Sequence, residues 1–229
     1  MGAIKRAFAN NITTSGNLTA LSAANLTGTI ADARFPATLP AISGANLTGL
    51  AADFVKVASV KQTTEAASIA YTNSVISTTY DQYKIFVSNA RCNTDNINWQ
   101  FRVSFDNGSS YSSSSIYYRN VWATRDNEGS DSFIGRTGAS GAMPLGHVQS
   151  QGNAAGECGN YEITLHNPHS TINKKIVSIT GGFFDLDGDS RTHFGICMIN
   201  STSAISGIEF KAASNNIQSG DITIYGLKT

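Results

Sequence analysis

The stretch "NINWQFRVSFDNGSSY", residues 96–111, limits this chain to a narrow set of folds. Ile97, Trp99, Phe101, Val103 and Phe105 alternate with Asn98, Gln100, Arg102 and Ser104. A period of two puts one set on each side of an extended backbone, and Asn107-Gly108 supplies a turn whose residues tolerate positive φ. Eight further stretches carry short apolar runs of the same kind: "ASIAYTNSVI", "YDQYKIFVS", "IYYRNVWA", "NYEITLHN", "KKIVSITGGFF", "THFGICMI", "ISGIEFKA" and "GDITIYGLK". Connections rich in Gly, Ser, Asn and Asp separate them, and no segment sustains a helical period. About nine short strands with polar connections predict an all-β, jelly-roll-like sandwich. The stretches "GSSYSSSSIYY" and "GRTGASGAMPLG" read as long surface loops.

The alternation holds only after residue 54. Before it, "SAANLTGTIAD" (22–32) returns as "SGANLTGLAAD" (43–53) with eight of eleven positions identical. From Ala7 to Ala52 the only charged residues are Asp32 and Arg34. The bulky apolar residues from Leu18 to Leu50 are spaced 3, 5, 4, 5, 4, 3, 5 and 3 apart, which fits neither a half-buried strand nor a heptad. Pro36, Pro40, Gly28, Gly44 and Gly49 disfavour a continuous helix. Ordering a residue costs on the order of 1–2 kcal/mol and one buried Leu returns about 1.5–3, so one large side chain in four cannot enclose itself. The segment either remains a flexible linker or buries its stripe against copies of itself, and the repeat favours the copies.

Composition narrows the function. The 229 residues include 16 basic and 16 acidic ones, for a formal charge of zero, so the phosphate neutralisation behind nucleic-acid binding is not expected. Charged residues make up only 14%, which leaves a surface of hydroxyls and amides suited to extended assemblies and carbohydrate contacts. The start, "MGAIKRAFANNI", lacks the apolar run of a signal peptide, and no stretch has the length of a membrane span. A soluble chain made in the cytoplasm, without membrane insertion, is the expectation. Cys92, Cys158 and Cys197 are too few for a disulfide framework and are expected reduced, with Cys197 a small buried hydrophobe.

The segment "NLTGTIADARFPATLPAISGANLTGL" resembles the shaft repeats of bacteriophage tail-fibre and related virion fibre proteins. "AIKRAFANNITTSG" resembles their N-terminal attachment segments. "FRVSFDNGSSY" and "DITIYGLK" resemble the jelly-roll tips of fibres from phages of marine bacteria or cyanobacteria. The resemblance implies a homotrimer in the virion, with residues 1–16 docked on a tail, portal or capsid protein and residues 17–53 forming an interchain shaft. Residues 54–229 would then be an outward tip that touches the host surface, with surface polysaccharide as a candidate partner. The shaft is short, which leaves room for a capsid decoration or head-fibre protein that binds no host. A free carbohydrate-binding module or a depolymerase is the remaining alternative.

Few residues suggest chemistry. "DLDGDSR" sets Asp185, Asp187 and Asp189 at alternate positions, where three carboxylates offer hard oxygen donors to Ca²⁺. Gly188 comes one residue too early for an EF-hand and no Glu follows before Glu209, so a hairpin turn with solvated acids competes. "HNPH" spaces His166 and His169 three apart around a turn, and exposed loop histidines are the plainer reading than zinc ligands. Glu65, Glu128, Glu157, Glu162 and Glu209 are scattered and no G-x-S-x-G elbow is present, so no catalytic residue and no cofactor are expected. Asp106 reads as a turn-capping acid. In "IYYRNVWATR", alternation places Tyr117 and Arg119 on one face and Tyr118 and Trp122 on the other. If the second face is core, Tyr117 and Arg119, with Arg125 nearby, become candidates for stacking on sugar rings and for forked hydrogen bonds to acidic groups.

Overall fold

A computed structural model describes residues 54–112, 116–125, 131–146 and 151–227; the side chains of residues 117–134, Arg136, Ala139 and Ser140 are not described. The expected attachment segment and shaft, residues 1–53, lie outside the described residues. The described strands are β1 (Phe54–Gln62), β2 (Ser68–Tyr71), β3 (Gln82–Cys92), β4 (Trp99–Ser104), β5 (Ile116–Arg125), β6 (Asp131–Ser140), β7 (Met143–Pro144), β8 (Gly159–His166), β9 (Lys175–Phe184), β10 (Ser190–Ile199), β11 (Gly207–Ala212) and β12 (Ile217–Leu227).

Every pairing among them is antiparallel. Eight strands form one sheet in the order β1-β12-β3-β8-β9-β10-β5-β6, and four form a second, β2-β11-β4-β7. The alternation in residues 97–105 builds β4 as expected: Trp99, Phe101 and Val103 are fully buried and Ile97 and Phe105 pack beside them. Asn107 and Gly108 both have positive φ, 60° and 84°, which makes the two-residue turn at its end. Asp106 anchors that turn, accepting from the Ser110 amide at 2.8 Å and the Ser104 hydroxyl at 2.7 Å. The Ser110 hydroxyl and amide lead in pulling its carboxyl down to about 2.

The two sheets share one core. Tyr83, Ile85 and Val87 of β3, Tyr161, Ile163 and Leu165 of β8, Val177 and Ile179 of β9, and Ile222 and Ile224 of β12 belong to the same buried cluster as Trp99 and Phe101 of β4 and Ile208 and Phe210 of β11. Trp99 marks where the sheets meet. Its ring lies 6.2 Å from that of Phe210, and a Cβ on Gly220 of β12 would come within 2.5 Å of its Cη2. On the far side of the small sheet Arg102 donates to Glu209 at 3.2 Å and to the Tyr111 carbonyl at 3.0 Å, which satisfies the charges left off the core.

Three strands depart from the sequence reading. β1 was not expected, and "GRTGASGAMPLG" is no loop: residues 135–140 complete β6 and Met143–Pro144 form β7. β1 and β6 are the two edges of the large sheet, where backbone pairing to a single neighbour suffices and side-chain alternation is not demanded.

Trp99→Ala should cost about 3–5 kcal/mol in urea unfolding, as removal of a buried aromatic ring does. Trp99→Phe should cost much less, because the indole nitrogen has no hydrogen-bond partner to lose among the described residues.

Candidate functional site

Among the described residues, one side of the large sheet faces the core and the other is left open. At the open side's β9–β10 end the two strands are joined by the hairpin that "DLDGDSR" forms. Asp185 is fully buried, and its Oδ1 accepts the amides of Asp187 at 3.0 Å and Asp189 at 2.9 Å. Gly188, with φ of 78°, turns the chain and donates to the Asp185 carbonyl at 3.0 Å. Arg191, also buried, donates its Nε to Asp185 Oδ2 at 2.6 Å, and its Nη2 reaches both Asp185 and, at 3.4 Å, Asp189. The calcium candidates therefore do not converge as a set. A guanidinium occupies the position of a cation at Asp185 and Asp189. Among the described residues no three His, Cys, Asp or Glu side chains are grouped to hold a metal.

Above this hairpin lies a cleft of about 310 Å³ lined by Cys158, Asn160, Gly182, Phe184, Ser190 and Thr192, among others. Gly182 is its floor, with Asn160 on one flanking strand and Thr192 on the other. A Cβ at residue 182 would lie 2.9 Å from the Arg191 carbonyl, so the floor stays bare. Phe184 forms a wall with its ring 43% exposed. Asn160 is oriented by a β3 bulge: Asn89, with φ of 54°, donates its amide to Asn160 Oδ1 at 3.1 Å and its side-chain nitrogen to Asp221 at 3.1 Å. A bare floor, an aromatic wall and amide and hydroxyl donors suit a neutral, hydroxyl-rich ligand, which stacks its C–H face on the ring and hydrogen-bonds at its edges.

β5 adjoins this surface. Position 125 pairs with Ser190 of the cleft, while positions 117 and 119 pair with Met198 and Ile196. The side chains of Tyr117, Arg119 and Arg125 lie outside the described residues. Met198 and Ile196 are exposed, whereas Cys197 and His193, opposite positions 118 and 122, are fully buried. The cleft residues themselves were not singled out from sequence, because Asn160, Gly182 and Thr192 come together only through cross-strand pairing.

Of the two histidines expected in an exposed loop, His169 sits in the turn but half-buried, and His166 is in a strand. His166 closes β8, half-buried, 2.9 Å from the Ser178 hydroxyl. His169 packs edge-on to Tyr83 at 6.4 Å, and burial lowers its pKa. His193 lies in the core 6.3 Å from Tyr161, and His147 lies outside the described residues. All three cysteines are free thiols. Cys197 is buried as expected, and burial raises both it and Cys92 to about 12, whereas Cys158 is half-buried at the cleft.

No protein-family model, curated protein or solved structure matches the chain.

Arg191→Met strands a buried carboxylate and should cost about 3–5 kcal/mol in chemical denaturation. The wild-type melting temperature should be the same in Ca²⁺ and in EDTA; a rise with Ca²⁺ would show the ion displacing the guanidinium. In a thiol-titration assay at pH 8, one cysteine should react in the native protein, Cys158, and three after unfolding.

Proposed function

We propose that this chain is a structural, non-enzymatic virion fibre protein, a phage tail fibre whose C-terminal jelly-roll-like domain meets the host cell surface. Residues 1–16 would anchor it to a tail, portal or capsid protein, and residues 17–53 would form the interchain shaft of a homotrimer. The observation that carries this reading is the joining of two unlike parts. A domain with a closed core follows a repeat that has one bulky residue in about four and must bury them elsewhere. The cleft at Gly182 and Phe184 supports host-surface polysaccharide as the ligand class. Weak, neutral sugar contacts suffice when several copies are rigidly linked, since linkage raises effective concentration without a new contact. The same cleft also favours a second reading, a free carbohydrate-binding module, which differs in being monomeric and in lying off the particle.

Antibody labelling of intact particles should place the chain on a tail appendage, and deleting residues 1–16 should leave soluble oligomers that fail to join particles. Labelling spread over the capsid would replace the tail reading with a decoration protein. Incorporation of the truncated chain would remove the anchor assignment. Phe184→Ala should weaken binding to host-surface polysaccharide about tenfold, the loss of one stacking contact of roughly 1–1.5 kcal/mol. Unchanged binding would overturn the ligand class.

A further inference from the structure

Away from the cleft, the open side of β9 and β10 changes character. Phe194, Ile196 and Met198 stand in a column on β10 with exposures of 54%, 49% and 39%, and Ile176, 49% exposed, pairs with Met198 across β9. The residues between them along β10, Gly195 and Cys197, point into the core, where Cys197 and then Ile199 are fully buried. β10 is thus apolar on both sides. A strand of that kind belongs between two covering layers, and only the inner layer is supplied by the described residues.

We infer that this column is the contact between the β-domains of neighbouring copies of this chain. The choice of a second copy rests on the oligomeric reading given above and on two features of the surface. The outward positions of β9 and β10, residues 176, 178, 180, 182 and 184 and residues 190, 192, 194, 196 and 198, carry no ionisable side chain. The nearest charges on β3 and β8, Lys84 and Glu162, neutralise each other. Along β9 and β10 two like surfaces therefore meet without like charge, and the basic positions of the adjoining β5, Arg119 in register with Ile196 and Arg125 with Ser190, lie one strand away. The second feature is where the leading residues end. Residues 1–53 run into Phe54, which lies on the same open side, stacked at 5.5 Å on Tyr225, itself 5.9 Å from Phe86. Copies joined through those residues hold their β-domains at high mutual concentration, so a modest apolar column is enough to dock them.

The test uses the full-length chain, sedimentation to fix its oligomeric state and hydroxyl-radical footprinting to read Met198. Met198 should be protected at concentrations where the chain is oligomeric and become reactive on dilution through dissociation. Ile196→Asp, a change at an exposed site, should remove the protection and raise the dissociation concentration about tenfold or more, as a charge in a contact centre does. An oligomer whose Met198 stays reactive would overturn this surface while leaving the oligomeric reading intact. A chain that is monomeric at every concentration would end both. Protection that persists in the monomer would show the column covered by its own chain and would also overturn the inference.

Discussion

Trp99 holds the two sheets together, and the open side of the large sheet is what remains after that contact is made. The indole is fully buried, lies against Phe210 in its own sheet and reaches across to Gly220 of β12, which has no side chain to obstruct it. Close approach at Gly220 lets the four-stranded sheet settle onto the inner side of the eight-stranded one, with Tyr83, Ile163 and Ile224 filling the layer between. Four strands cover one side of the larger sheet. Its other side therefore keeps whatever chemistry the sequence puts there.

That open side is divided along β9 and β10. At the hairpin end, Asp185 and Arg191 form a buried pair that uses most of the available lone pairs and donors inside the turn. The pair fixes the spacing of Phe184 and Ser190 and so the walls of the polar cleft. At the opposite end the same strands present Ile176, Ile196 and Met198. A polar trough and an apolar column thus lie at opposite ends of two continuous strands.

Several elements were legible before any coordinates. The alternation from Ile97 to Phe105 produces β4, Asn107-Gly108 turns it, and Asp106 caps that turn, because each of these depends on neighbours within a few residues. β1 and β6 were missed because an edge strand is held by backbone bonds that leave no pattern in side-chain type. The carboxylates of "DLDGDSR" were weighed as calcium ligands because spacing along the chain does not reveal that Arg191 folds back onto Asp185. The run "THFGICMI" did carry a signal that went unread. Its apolar residues fall on both parities, which in a strand means two apolar sides.

By itself the sequence determined the class of local structure: extended strands of period two after residue 54, turns at Asn-Gly and Asp-Gly, and a leading repeat too thin to enclose its own leucines. These follow from backbone sterics and from side-chain size over short stretches. The tertiary structure alone decided which strands became neighbours, which of two apolar sides was buried, and that Asn160, Gly182 and Thr192 line one cleft. Those outcomes depend on pairing between residues tens of positions apart. Many registers satisfy the same alternation, and only packing of the whole core selects among them.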